Sequence, residues 1–308
     1  MAKKKESTRY GFSILLKILA TLTLLLFIAC VIKTCSNCKR INKVTIVDRT
    51  GYLPDKENWD NIPDVQPPYN DDELDSLPEA VSLEHLFPPI GDQGRYGTCV
   101  AWATGYNLKT ALNAIDNKWT PEQLKDPKNQ TSPKDLWMGV PSDSKGKYCE
   151  GTIFEAAFSV LKSKGASTMA KVPYSNLGTC NGSFTGSADN KIAGFNHVVS
   201  PSIKQIKAYL SDTIPLVFAA NVGNVFVNWH GDKVFKAFDN GQKGGHAMVI
   251  SGYDDSKHAF RIRNSWGVSW GDKGSAWVDY DFFMNDFCEE IFMAKNQKQY
   301  NISNNKKL

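Results

Sequence analysis

The chain has 308 residues, with 36 Lys and Arg against 32 Asp and Glu and a formal net charge of +4. That length supplies one large domain, or two lobes sharing a cleft, with ample chain for a core. The near balance of charge, with lysines gathered at both ends, excludes a nucleic-acid-binding surface as an organising feature.

Residues 1–10 form a basic N-terminal tail, and residues 11–32 an apolar run interrupted by a charge only at Lys17. About twenty apolar residues suffice to span a bilayer, and Lys17 is close enough to the start to snorkel. The run is therefore expected to be a transmembrane anchor. A cleaved signal peptide and lipoprotein processing at Cys30 are the alternatives, and all three put the rest of the chain outside the cytoplasm. Lys33, Lys39, Arg40 and Lys43 place charge on the far side too, so orientation has no clean vote. Cys35 and Cys38 lack a second pair, which favours a local disulfide or acylated thiols over metal. Residues 33–76, rich in Asp, Asn and Pro, read as a juxtamembrane stalk.

The first strong functional signal is the stretch from Gly91 to Trp102, a glycine-punctuated loop running into a helix. Thr98 is a suitable N-cap, and Ala101, Leu108, Leu112 and Ile115 recur at helical spacing, which sets Cys99 in the first turn of an amphipathic helix. A thiol there feels the positive end of the helix dipole, which favours thiolate. Gln93 supplies a side-chain amide close by that can donate to a developing oxyanion.

Residues 118–147 read as loops and short helices. Thr152 to Glu155 has the form of a capping box, followed by an apolar face through Ile153, Ala156, Ala157, Val160 and Leu161, with Gly165 as terminator. Ser202 to Gln205 opens a second capped helix ending near Ser211, and Pro215 to Val222 is a β-rich run. Gly244 to Tyr253 and His258 to Asn264 read as two strands joined by the turn at Asp254 to Lys257. His246 and Asn264 are each nine positions from Asp255, so the hairpin sets them side by side within a residue or two of register. An imidazole held by a side-chain amide on one ring nitrogen offers the other as a base. Trp266 and Trp270 follow closely, and Gly274 to Tyr280 is a further strand. Helices come first and strands later, so the class is α+β.

Gln93 to Trp102, Gly245-His246-Ala247, Asn264-Ser265-Trp266-Gly267 and Trp270-Gly271 together resemble the active-site segments of papain-like cysteine peptidases, in a form closer to bacterial members. His246 follows Cys99 by 147 residues (246 minus 99) and Asn264 by 165 (264 minus 99), in the order expected of that family. The resemblance covers residues 77–295. It implies a two-lobe fold, a helical lobe and a β-barrel-like lobe, with the active-site cleft between them. It implies a thiol protease in which Cys99 attacks a peptide carbonyl through a thioester, His246 exchanges protons and Asn264 orients His246. Gln93 and the Cys99 backbone N–H would form the oxyanion hole. Gly151 and Trp266 are the substrate-binding residues it suggests, with a peptide or protein as substrate and no cofactor or metal.

Several residues depart from the family pattern. Tyr96 stands where a disulfide cysteine is usual, Thr98 where Ser or Ala is usual, and Val100 where an aromatic follows the nucleophile. Many members carry a longer helical propeptide; residues 33–76 are too short and proline-broken for one, with room for part to lie across the site. Cys149 and Cys180 are either a disulfide or two free thiols, and Cys288 has no evident partner. Residues 296–308 read as a solvated, flexible tail. A catalytically silent peptide-binding protein of the same fold, and a ligase or acyl transferase using the same thioester, are the competing functional classes.

Overall fold

The computed structural model describes residues 49–54, 64–65, 69–146, 148–175, 177, 181–237, 241 and 243–298. The expected anchor at 11–32, the Cys35 and Cys38 pair and Cys180 lie outside them. Among the described residues no helix is long and apolar enough to cross a membrane.

The helical part is built on one long helix, α2, which starts as an α-turn over Cys99–Ala101, widens to a π-helix over Trp102–Lys109 and returns to α geometry over Thr110–Asn117. It is buried on every side from Cys99 to Leu112, so the expected amphipathic face exists only in its last turns. A helix with no solvent side belongs in a core, and α2 is the spine between the two halves of the molecule. It ends at Lys118, in the left-handed conformation with φ of 53°. A short helix α1 (Asp71–Asp75) precedes it, closed by a reciprocal capping box of Asn70 and Glu73. Helices α3 (Pro133–Gly139) and α4 (Phe154–Ser163) pack on its flank.

Two local expectations at helix starts are corrected. Thr98 occupies the N-cap position of α2 without capping it, because its hydroxyl bonds the Tyr174 hydroxyl at 2.8 Å. Thr152 does not open a capping box. The N-cap of α4 is Ile153, and the Thr152 hydroxyl donates to the Ser144 carbonyl at 2.7 Å. By contrast α5 (Ile203–Ser211) has its predicted box, with Ser202 and Gln205 bonded reciprocally.

The other half is a mixed sheet. Its strands are β1 (Asp64–Val65), β2 (Ala80–Ser82), β3 (Gly194–Val198), β4 (Leu216–Val222), β5 (Val234–Phe235), β6 (Gly244–Asp254), β7 (Ala259–Arg263), β8 (Ser275–Asp279) and β9 (Cys288–Lys295). They pair in the order β1-β3-β9-β4-β6-β7-β8-β5, with β2 added to β6. The path does not return on itself, so the sheet is open among the described residues where a barrel-like lobe was expected. Phe218, Val249, Ile250, Phe260 and Ile262 are fully buried along the central strands. Each such side chain contributes about 1.5–3 kcal/mol of transfer free energy.

The part of the expected stalk that is described is packed on this domain. Residues 64–65 pair in parallel with β3, and the Tyr69 hydroxyl donates to Asp212 beside α5. Residues 49–54 enter the cleft. At the other end Asn296, the first residue of the expected flexible tail, is buried and donates to Asn113 and Asp116.

Candidate active site

Four elements converge where the two halves meet. α2 presents Cys99 from its first turn, β6 presents His246, the segment just beyond β7 presents Asn264, and the loop before α2 presents Gln93. Cys99, His246 and Gln93 are fully buried and Asn264 is 1% exposed.

The His246 and Asn264 contact is as the turn count predicts, although the ladder between them is offset. Val249 pairs with Arg263 and Ile250 with Ile262, with a bulge between Ile250 and Gly252, so strict register would set His246 two residues past Asn264. Asn264 lies beyond the last residue of β7 paired with β6, with its N–H donating to the Gly274 carbonyl at 3.1 Å. His246 Nε2 and Asn264 Oδ1 are 2.7 Å apart. The Ser265 backbone N–H donates to the same Asn264 atom at 2.7 Å, which identifies that atom as the oxygen. Nε2 therefore carries the ring proton and donates, and Nδ1 is left as a bare acceptor with no partner among the described residues. The Trp266 ring stacks on the imidazole with centroids 4.4 Å apart and shields this bond from water.

Gln93 is fixed from three directions. Its backbone N–H donates to the Ser265 carbonyl at 2.8 Å, its Oε1 accepts from the Ser265 hydroxyl at 2.6 Å, and its backbone carbonyl accepts from Tyr174 at 2.9 Å. Nε2 donates to the carbonyls of Tyr96 at 2.8 Å and Arg49 at 3.1 Å. The second of these hydrogens already holds a peptide carbonyl oxygen in the cleft. Tyr174 escaped the sequence reading, and Ser265 entered it only as part of the Asn264 to Gly267 motif, with no role of its own.

The cleft holds part of the chain itself. Gly51 and Tyr52 N–H groups both donate to the Gly245 carbonyl, at 2.9 and 3.0 Å, and Leu53 N–H donates to Thr152 at 3.0 Å. Thr152 N–H donates back to Gly51 at 2.9 Å, so Tyr52 and Thr152 form a parallel bridge. Thr152 supplies the atoms that pair with this segment. Gly151 serves by lacking a side chain, because a Cβ there would lie 2.2 Å from the Gly51 oxygen. Trp266 Nε1 joins Gln93 in donating to the Arg49 carbonyl, at 3.2 Å. The Tyr52 ring is buried and meets Phe154 at 5.7 Å between centroids.

Burial governs the electrostatics. The backbone amides of Ala247, Val100, Cys99 itself and Gly51 face the sulfur and favour thiolate, but burial outweighs them and pushes the Cys99 thiol up to about 12. Burial likewise lowers His246 to about 4, against the opposing hydrogen bond to Asn264. With this strap in place, thiol and imidazole are both neutral at pH 7. The strap turns the Gly51 N–H toward the thiol.

Cys149 is disulfide-bonded, and Cys99 and Cys288 are free thiols. Cys180, the expected partner of Cys149, lies outside the described residues.

A cysteine at a helix start, an imidazole bonded to a side-chain amide and a second amide holding a carbonyl oxygen thus meet in one cleft. The family model described as "Papain family cysteine protease" matches residues 78–296, and the chain belongs to that family. It is 25% identical over 213 residues to the rice protein "Cysteine endopeptidase RepA", covering 67% of this chain and 53% of that one. It is 29% identical over 191 residues to "Vignain" of Vigna mungo, covering 60% and 49%. The chain thus spans about half the length of these curated relatives. Among solved structures it is similar to xylellain, a cysteine protease from Xylella fastidiosa, with a TM-score of 0.66, 26% identity and coverage of 82% of this chain and 98% of that one. A recombinant stem bromelain precursor shares the fold at a TM-score of 0.64 and 18% identity, covering 82% and 78%.

Proposed function

We propose that the protein hydrolyses peptide bonds in a peptide or protein substrate through Cys99, His246, Asn264 and Gln93. His246 Nδ1 takes the Cys99 proton, and the thiolate attacks the scissile carbonyl carbon. The oxyanion is held by Gln93 Nε2 and the Cys99 N–H, and its collapse expels the amine, which leaves with the proton from His246. Water, deprotonated by His246, then cleaves the thioester and restores the thiol. The observation that carries this reading is the buried bond from His246 Nε2 to Asn264 Oδ1, which leaves Nδ1 bare. In the resting chain residues 49–53 block the cleft, and activity requires them to leave it.

Residues 11–32 are proposed to anchor the protein in a membrane with the catalytic domain outside the cytoplasm. The disulfide at Cys149 supports an oxidising compartment for that domain.

The test is labelling with an epoxide that needs an activated thiolate, mapped by mass spectrometry on the chain carrying Tyr52→Ala, which frees the cleft of residues 49–53, and on the same chain carrying His246→Ala as well. The expected result is modification at Cys99 that collapses in the variant. Labelling of Cys99 no faster than of Cys288 in both proteins would remove the peptidase reading.

A further inference from the structure

One ion pair touches every element that carries a proposed catalytic group. Arg263 immediately precedes Asn264 and is 4% exposed. Its NH1 donates to Glu84 Oε2 at 2.7 Å, its Nε to Asn107 Oδ1 at 3.1 Å, and its NH2 to the Pro88 carbonyl. Asn107 lies on α2, the helix that begins at Cys99, and is itself 3% exposed. Pro88 is five residues before Gln93 on the same segment, which stays tied to the Asn264 loop through the Gly267 N–H to Gly91 carbonyl bond at 2.9 Å. The other Glu84 oxygen, Oε1, accepts from the Ser251 hydroxyl at 2.6 Å, and Ser251 lies on β6, the strand of His246. Nucleophile helix, imidazole strand, amide loop and oxyanion-donor segment therefore meet at a single guanidinium and carboxylate.

Stability does not explain such a pair. Taking the guanidinium out of water costs several kcal/mol, and a carboxylate that keeps 34% of its side-chain surface exposed offsets this only in part. What a planar, fully bonded guanidinium supplies is fixed geometry, since its donors lie in one rigid fork. In this molecule the fork sets the end of β7 relative to α2, and hence the imidazole held by Asn264 relative to the thiol on the opposite wall.

We propose that Arg263 and Glu84 are positioning residues which fix the separation of the Cys99 and His246 side chains across the cleft. They touch no substrate, and their effect travels through Asn107, Ser251 and the backbone at 263–264. As a statement about peptide hydrolysis the proposal rests on the function above. As a statement about the thiol and imidazole pair it stands on its own.

The experiment uses the full chain carrying Gly51→Ala, whose Cβ would lie 2.3 Å from the Gly97 oxygen and so displaces the strap. Arg263→Met, Arg263→Lys and Glu84→Gln are added singly, and Glu84→Gln with Arg263→Met as a pair. Four quantities are read: the pH profile of iodoacetamide alkylation at Cys99, kcat and KM on a fluorogenic peptide, and the urea midpoint. A displacement of about 1 Å in a catalytic constellation costs on the order of a hundredfold in rate. Arg263→Met is expected to lower kcat by roughly that factor with KM within about threefold. It should also move the rise of the alkylation profile to higher pH, as the thiolate loses its imidazolium partner. Arg263→Lys should recover part of both effects, and the double variant should be no worse than Arg263→Met, because the two residues act as a unit. Should Arg263→Met fail to fold, Arg263→Lys and Glu84→Gln carry the same comparison. A lower urea midpoint with kcat and alkylation profile unchanged in the folded protein would overturn the proposal and leave a structural ion pair. Absence of peptide turnover in every protein would count against the proposed function, while the alkylation profiles would still decide the positioning role.

Discussion

Truncation of Tyr52 to alanine should unlatch the cleft. The Tyr52 ring is 5% exposed and packs on Phe154, while the substitution leaves in place the strap's backbone hydrogen bonds and the Arg49 guanidinium over the Trp266 ring. Removing a buried aromatic side chain costs about 3–5 kcal/mol in a closed core. The strap lies at the edge of one, so about 3 kcal/mol is the appropriate end of that range. Each 1.4 kcal/mol is tenfold in an equilibrium, so the fraction of molecules with an open strap should rise by roughly a hundredfold. Cys99 can be alkylated only from the open form, and its rate under limiting iodoacetamide follows that fraction while closing is fast. Timed alkylation read by mass spectrometry measures it, with Cys288, a free thiol whose pKa burial also raises, as internal reference. The expected result is a roughly hundredfold faster reaction at Cys99 with Cys288 changed by less than about twofold. An unchanged Cys99 rate would refute the latch, and an equal rise at both thiols would show general loosening of the fold instead.

Gly151→Ala should open the same strap from the opposite wall, since its Cβ would meet the Gly51 oxygen at 2.2 Å; faster Cys99 alkylation with an unchanged urea midpoint is the expected outcome. His246, held near 4 by burial, contributes stability that is complete above its ordinary value of 6.5 and lost as pH falls from 6.5 through 4. Urea unfolding should therefore show up to about 3 kcal/mol lost over that window, and His246→Gln should flatten it. Lys109 is buried on α2 with its pKa lowered by burial to about 7, so its contribution is present above 10.5 and lost as pH falls toward 7. Lys109→Met should raise the urea-derived stability at pH 7 by about 1–3 kcal/mol and abolish the rise between pH 7 and 10.

What the sequence made legible was local or counted from a turn. Ser202 and Gln205 form their capping box because nothing nearby competes for either side chain. Thr152 and Glu155 show the same pattern, yet Thr152 is claimed by Ser144 and by the strap, so tertiary pairing overrides the cap. Thr98 is diverted in the same way by Tyr174. The His246 and Asn264 pair survived a register offset of two because Asn264 sits past the last residue of β7 that pairs with β6, although its N–H still donates to the Gly274 carbonyl at 3.1 Å. That part of residues 33–76 had room to lie across the site was legible, but its seat was not: apart from Tyr52 and the Arg49 guanidinium over Trp266, it binds through backbone atoms, which no residue type announces. The π-helical stretch of α2 and the four-way linkage at Arg263 likewise depend on contacts between segments distant in the chain.

The central claim is that Cys99 and His246 cleave peptide bonds once the strap is displaced. The most direct measurement is turnover of a peptide library by the full chain carrying Tyr52→Ala, with products identified by mass spectrometry, beside the same chain carrying Cys99→Ala or His246→Ala. The account predicts products ending in free carboxylates and loss of turnover in both added variants. Turnover that persists without the Cys99 thiol, or products that join the acyl group to an added amine instead of water, would contradict it.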